Sequence, residues 1–467
     1  MLTGRQHRRE QRSAPVDDHL GDPGSDDRVW RSLSGWGNSP RTSSEVITPS
    51  EPDHLLELRP LQRGHIARGL GRSYGDAAQL AGGTVVDMTS MSGVWLDTTR
   101  GSVTARAGTS LGTILDTIVP GGWFLPVTPG TRHVTVGGAI AADVHGKNHH
   151  RDGSFGQHLE SLDLITGDGS PMTAKPATDV FDATVGGMGL TGIITEAAFR
   201  LIPIETSWMS VSTVRADDLD SVMLALVDAD NGSRYSVAWV DLSPSVHGRG
   251  IVEAAEHATV AETIGKPRLR GFTEAVVSPP RWMTRVVTDL SVTAFNQAWF
   301  SKAPSRETRR LHRLSSFFYP LDRVSNWNRL YGRKGFLQYQ FVVPDGEEDT
   351  LREVARTLAG SPTPVALAVL KRMGPSRGGL MSFPMPGWTL AVDMPLGDPG
   401  LAATLDRCDR MVQAAGGRVY LAKDSRLRSD VAHDMYPGLK RWREVRASLD
   451  PEDRLRSNLS ERLRLTS

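Results

Sequence analysis

The sequence predicts an α+β fold arranged as two domains, on three observations. The chain has 467 residues, more than one hydrophobic core usually organises. Short strand-like runs alternate with helix-like ones, and no fixed-period repeat recurs. Two glycine-rich runs, Ala67–Asp76 (ARGLGRSYGD) and Val127–His150 (VTPGTRHVTVGGAIAADVHGKNHH), interrupt the first part of the chain. Glycine loses more entropy on folding than any other residue, so such runs persist where the backbone turns tightly or something approaches it closely. Rows of backbone N–H groups suit an anion, and two such runs point to a large nucleotide with a diphosphate.

The elements follow in order. The first 26 residues mix charge, Pro and Gly without apolar periodicity and read as disordered; regular structure is expected from about Trp30. Val85–Met88 is a short buried strand, and the alternation of Ser102–Ala107 predicts a strand with one buried face. Thr109 or Ser110 caps a helix that places Leu111, Ile114, Leu115 and Ile118 on one side. Leu162–Ile165, the turn GDGS and Met172 predict a hairpin. Ile193–Ile204 reads as one long strand. Residues 30–205 therefore form a first α+β unit of short, mixed strands.

After Glu205 the texture changes. Val211–Val214 and Tyr235–Val240 are predicted strands around a helix carrying Leu219, Val222, Met223 and Leu226. Gly335–Val343, Pro364–Leu370 and Trp388–Met394 are predicted central strands, followed by a helix over Leu401–Ala415. This is the pattern of an antiparallel sheet with a helical face, and it assigns residues 206–419 to a second domain. Residues 248–312 show weak periodicity and two basic stretches, Lys266–Arg270 and Lys302–Arg313. They are expected to form a mobile, solvated region, or else a surface that meets anionic lipid or substrate.

Composition narrows the function. Net charge is +1, with 39% hydrophobic and 23% charged residues, which fits a globular enzyme and predicts no nucleic-acid partner. The one cysteine, Cys408, excludes a disulfide within the chain and a cysteine metal cluster. It lies in a helical pattern, as a buried structural thiol would. No run of roughly 18 apolar residues is present. The N-terminus lacks the apolar core of a secretory signal, and Arg8-Arg9 is not followed by an apolar stretch. These features predict a cytoplasmic protein or one peripheral to the inner-membrane surface.

Among motifs, Gly69–Gly75 is spaced G-x-G-x-x-x-G rather than G-x-G-x-x-G and does not open a long helix, so a Rossmann site is disfavoured. No P-loop, GxSxG or HExxH run occurs. His145 and His149 are four apart, a helical ligand spacing. No carboxylate motif accompanies them and Gly146 interrupts a helix, so no metal is expected.

IARGLGRSYGD, LPVTPGTRHVTVGGAIAADVHGKNHH and VGGMGLTGII together resemble the PCMH-type FAD-binding domain of the vanillyl-alcohol-oxidase superfamily. With GFLQYQFVVP, SFPMPGW and YLAKDSR the chain is similar, over residues 30–467 apart from the weakly patterned middle, to the decaprenylphosphoryl-β-D-ribose 2′-oxidase family. These are the flavin subunits of a ribose/arabinose epimerase. The resemblance implies FAD, bound non-covalently, in a domain made of residues 30–205 and 420–467. It implies that FAD contacts come from Ala67, Arg68, Gly69, Leu70, Gly71, Arg72, Ser73, Tyr74, Gly75, Asp76 and Ala77. Further contacts come from Gly130, Thr135, Val136, Gly137, Gly138, Ala142, Asp143, Val144 and His145, with Ile194 and Tyr420 packing on the cofactor.

It also implies a reaction: oxidation of the ribose 2′-hydroxyl of a polyprenyl-phosphoryl ribose to the 2′-keto sugar, for cell-wall arabinan synthesis. Lys423 is the expected catalytic cation, with Tyr74 and His145 beside the flavin. Lys147, Gln338, Gln340, Lys371, Thr389 and Ala391 border the substrate. Gln338 and Gln340 alternate on a strand and so share a face. An NAD(P)H-dependent keto-sugar reductase is the implied partner, peripheral membrane contact is expected, and the resemblance keeps the periplasmic face open. Three departures stand out: Ala391 where the family often has cysteine, Thr389 where it has Asn, and Phe318 where it has Tyr. The first implies insensitivity to inhibitors that need the thiol. Two other activities fit the residues: an alditol or sugar-lactone oxidase of the same superfamily, and a non-catalytic flavin-binding structural subunit.

Overall fold

The computed structural model describes residues 29–56, 63–244, 246, 248–272, 276–280, 286–375 and 377–466. The segment 1–26, expected to be disordered, lies outside the described residues.

Two sheets build the first part. β1 (Val29–Ser34), β2 (Arg41–Ile47), β3 (His65–Arg68) and β4 (Thr84–Asp87) form a sheet in the order β1-β2-β4-β3, with β4 parallel to both neighbours. β5 (Val94–Asp97) and β6 (Ser102–Arg106) open a second sheet. β7 (Trp123–Phe124) stands apart, and β8 (Leu159–Ile165), β9 (Pro171–Ala174) and β10 (Ile193–Arg200) complete the antiparallel order β5-β6-β10-β8-β9. The predicted hairpin is β8–β9, with Leu164 opposite Met172. Ser110, rather than Thr109, caps the helix Leu111–Ile118, accepting from Thr113 N–H; Leu111, Ile114, Leu115 and Ile118 are buried as their spacing requires.

The expected single strand Ile193–Ile204 is two. β10 ends at Arg200, Leu201 N–H makes one more bond along the β6 side to Gly101 O, and β11 (Ile202–Pro203) then pairs with β7. Proline has no N–H for the β10 ladder, so the chain changes sheets here.

The second part is an antiparallel sheet of β12 (Trp208–Ala216), β13 (Tyr235–Val240), β14 (Gly250–His257), β15 (Thr308–Arg313), β16 (Phe336–Pro344), β17 (Leu367–Met373), β18 (Gly387–Pro395) and β19 (Arg418–Val419), in the order β15-β12-β14-β13-β17-β18-β16-β19. The helices Leu219–Gly232, Glu348–Ala359 and Leu401–Ala414 pack on it. Cys408 is buried in the last of these.

Two expectations are corrected. The strand placed at Pro364–Leu370 runs from Leu367 to Met373, past the prolines at 362 and 364. Residues 248–312, expected to be a solvated loop, contain β14, the helix Asp289–Lys302 and β15. Their pattern hid them for physical reasons. β15 is an edge strand rich in arginine. The helix buries Val292, Asn296 and Phe300 while exposing Leu290, Phe295 and Trp299, so its apolar residues lie all round.

From Tyr420 the chain returns to the first part. Tyr74 N–H donates to Ala422 O, Trp442 Nε1–H to Ala183 O, and Ala81 N–H to Asn458 Oδ1.

Candidate active site

The site lies where the Ala67–Ala77 loop and the 420–426 return meet one face of the second sheet. Side chains alternate along a strand. Gln338 and Gln340 on β16, Lys371 on β17, and Thr389, Ala391 and Asp393 on β18 therefore share a face; Tyr339, Phe341, Leu390 and Val392 bury the other. Register brings them level: Gln338 opposite Asp393, Gln340 opposite Ala391, Lys371 opposite Thr389.

Lys423 stands over this face with Nζ 4.1 Å from the centre of the Tyr74 ring. Burial brings its ammonium down to about 8, opposed by the charge of Asp393. Gln338 Nε2 donates to Asp393 Oδ1 at 2.6 Å and to Tyr74 Oη at 3.3 Å. Burial, then Asp393, holds the Tyr74 phenol well above its usual range, with Gln338 and Arg72 opposing. Asp393 itself is buried, which pushes its carboxyl up to about 7 against Gln338 and Lys423. Sequence reasoning missed Asp393. It continues the alternation Thr389, Ala391 by one more position, but only the pairing with Gln338 on β16 sets it apart.

His145 is buried next to this set. Lys371 Nζ lies 3.2 Å from its Nδ1 and the Gln340 amide 3.0 Å from its Nε2. Gln340 also meets Thr389 Oγ1 at 3.1 Å. Burial, then Lys371, His149 and Lys423, keep the imidazole well below its usual range, so it is neutral. While it is protonated Lys371 can only donate, which makes Nδ1 the acceptor and puts the ring proton on Nε2, facing the Gln340 amide through its oxygen. The Gln340 amide orientation then follows from the network. Burial brings Lys371 down to about 7, helped by Lys147 and Lys423. Lys147 is turned away, over the Phe317 ring at 4.0 Å with Nζ on Phe317 O; burial brings it down to about 8, opposed by Glu253.

Several expected cofactor residues serve the fold. Arg68 donates to Ser34 O and Ala78 O. The Asp76 carboxylate takes a two-pronged contact from Arg462 at 2.9 and 2.8 Å. Asp143, fully buried, accepts from Gly156 N–H, Ser154 Oγ and Ser382 Oγ. Thr135 caps the helix Val136–Ala141 by accepting from Gly138 N–H. The N–H groups of Val136, Gly137 and Ala139 go to Thr109 O, Ala107 O and Thr135 O. These four N–H groups therefore have acceptors within the chain.

Arg72 lies over Trp36 at 4.1 Å, with Ser73 O accepting from Trp36 N–H. Leu70 is exposed, Gly71 has φ +61°, and Ala77 and Val144 are buried. A Cβ on Gly130 would meet nothing within 4 Å, whereas one on Gly69 would strike Thr135 Oγ1 at 2.1 Å and one on Gly75 would strike Asp424 O at 2.0 Å. Ile194 is buried in β10. Tyr420 stacks on Phe383 at 4.5 Å and donates to Ala142 O. Phe318 is core, packed on Phe124 and Tyr235.

Glycine loops opposite a face that carries two lysines and a neutral imidazole suit a bound flavin, whose reduced ring is anionic. A family model described as an FAD binding domain matches residues 61–175. The molecule is an FAD-dependent oxidoreductase. The decaprenylphosphoryl-beta-D-ribose oxidase of Mycolicibacterium smegmatis is 36% identical over 93% of this chain and 97% of its own length. An uncharacterized Streptomyces coelicolor protein is 38% identical over 75% of this chain and 99% of its own. The alditol oxidase of a Streptomyces species is 24% identical over 37% of this chain and 42% of its own. The chain belongs to the decaprenylphosphoryl-β-D-ribose oxidase family.

Proposed function

We infer that this chain oxidises the ribose 2′-hydroxyl of a polyprenyl-phosphoryl ribose, decaprenylphosphoryl-β-D-ribose, to the 2′-keto sugar. This is the first half of epimerisation to the arabinose used in cell-wall arabinan. The observation that carries the reading is the convergence of Lys423, Tyr74, Gln338, Gln340, His145 and Lys371 on one sheet face beside the glycine loops. FAD, when bound, supplies the two-electron acceptor for the sugar C–H bond. Lys423 donates to the 2′-oxygen and stabilises the negative charge left there as the hydroxyl proton passes by way of the Tyr74 hydroxyl to solvent and the hydride leaves C2′. Gln338 and Gln340 offer amides to sugar hydroxyls. His145 has a partner on each ring nitrogen, which supports FAD held without a covalent bond.

The keto product needs a separate NAD(P)H-dependent reductase to complete the inversion. Peripheral contact with an anionic bilayer belongs to the same reading. Among the described residues no helix is long and apolar enough to cross a membrane. The helix Asp289–Lys302 exposes Leu290 (81%), Phe295 (58%) and Trp299 (48%). Val287, just before it, packs on the Tyr74, Tyr331 and Phe336 cluster.

The test is anaerobic. Yellow holoprotein should bleach when decaprenylphosphoryl ribose is added and stay yellow with free alditols. Bleaching by alditols but not by the lipid would move the chain to an alditol-oxidase function.

A further inference from the structure

Asp393 is a buried carboxylate that the site's chemistry, as derived above, does not use. It is 1% exposed, in the middle of β18. Its Oδ1 is held by Gln338 Nε2 at 2.6 Å, while its buried Oδ2 has no hydrogen-bond partner among the described residues. A buried carboxylate oxygen without a partner is costly unless a charge faces it. The titratable groups around it come from three other elements: Tyr74 from the loop after β3, Tyr331 from the turn Trp327–Tyr331, and Lys423 from the return after β19. Of these, only Lys423 is a cation. Lys371, on the same sheet face, is brought down by burial and then by Lys147 and Lys423.

We propose that Asp393 is a positioning residue of the reaction: the counter-ion that holds Lys423 charged and aimed over the Tyr74 ring. Gln338 is the lever. It fixes Asp393 from one side and the Tyr74 hydroxyl from the other, so carboxylate, phenol and ammonium form one unit. Lys423 keeps its proton as the cation at the reacting hydroxyl, whereas Lys371 loses its proton more readily and serves as a hydrogen-bond donor to His145. This inference rests on the substrate reading above only for its kinetic arm.

The experiment is competitive labelling of amines with trace acetic anhydride on FAD-loaded protein, read lysine by lysine by mass spectrometry across pH. In the wild type Lys423 should titrate above Lys371. Asp393→Asn, close in shape and able to keep the Gln338 bond, should lower the Lys423 midpoint by about one unit and leave Lys371 in place. Asp393→Glu should restore it. The alkaline limb of substrate-driven bleaching should move down by the same amount. An unchanged Lys423 midpoint in Asp393→Asn would overturn the proposal. So would a wild-type Lys423 that titrates with or below Lys371, a comparison that needs no variant to fold. If the lipid fails to bleach the wild type while the labelling result holds, the substrate reading falls and the counter-ion stands. The reverse outcome removes Asp393 and keeps the substrate.

Discussion

In the proposed reaction Lys423 is the residue on which the chemistry turns. Lys423→Met removes the charge and keeps most of the volume, so the protein should remain yellow while the rate of substrate-driven bleaching drops by about 100-fold or more. The pH dependence has a fixed sign. Lys423 titrates near 8, so it is charged at pH 7 and loses its proton as pH rises through 8. Bleaching should therefore slow on the alkaline side, and Lys423→Met should lack that limb; a rate that rises through pH 8 in the wild type would make Lys423 a base instead. Lys423, Tyr74, Gln338 and Gln340 were legible in the sequence because they sit in distinctive runs. Asp393 was not, because one aspartate in WTLAVDM reads as an ordinary polar strand position until β16 places Gln338 beside it. The acceptors of the Val136 and Gly137 N–H groups, Thr109 and Ala107, were not legible for the same reason: they come from a different part of the chain.

Elements hold these residues through two junctions. Gly75 lets the 67–77 loop touch the 420–426 return, since a Cβ there would lie 2.0 Å from Asp424 O. Gly75→Ala must push the loops apart, costing about 1–3 kcal/mol. Because Tyr74 and Lys423 flank that contact, turnover should fall along with the melting temperature. The second junction is Arg462, in the helix Asn458–Leu463, which binds both Asp76 and Asp424. Both carboxylates are buried, so Arg462→Met leaves two uncompensated charges and should cost roughly 3–5 kcal/mol. Faster amide exchange in the last helices would report it. Arg441→Met, which breaks the exposed pair with Asp179, should change stability by about 1 kcal/mol or less. Strands and helices with clear periods were legible at this scale: β4, β6, β8, β13, β16, β18 and the helix Leu401–Ala414 stand within a few residues of their predicted places. The latch was not. Nothing local in RLRLTS says that Arg462 reaches a loop near residue 76, because that contact is made by the fold as a whole.

At the scale of the molecule, the proposed function requires a lipid substrate to reach a site at the junction of the glycine loops and the sheet. The helix Asp289–Lys302 stands beside that junction, since Val287 packs against Tyr74's cluster. Phe295 and Trp299 stack on each other at 6.1 Å, outside the protein. Lys302, Arg306, Arg309 and Arg310 follow, all exposed, against Asp289 on the helix and Glu307, which engages Ser212. Exposed aromatic side chains next to basic ones are the composition of an interfacial helix: rings enter the headgroup layer while cations meet anionic lipid. Burying each large apolar side chain is worth roughly 1.5–3 kcal/mol. Phe295→Ser with Trp299→Ser should therefore weaken binding to vesicles containing phosphatidylglycerol by about 100-fold. High salt should weaken the wild type as well, and neutral vesicles should bind it less. The double variant should still bleach with a short-chain, water-soluble ribosyl phosphate lipid, because the catalytic face is untouched, and should lose activity only on vesicle-embedded substrate. Equal flotation of wild type and variant would remove this helix from the membrane. A wild type that fails to float but sediments as a dimer, with the variant monomeric, would assign the face to a second copy of the chain.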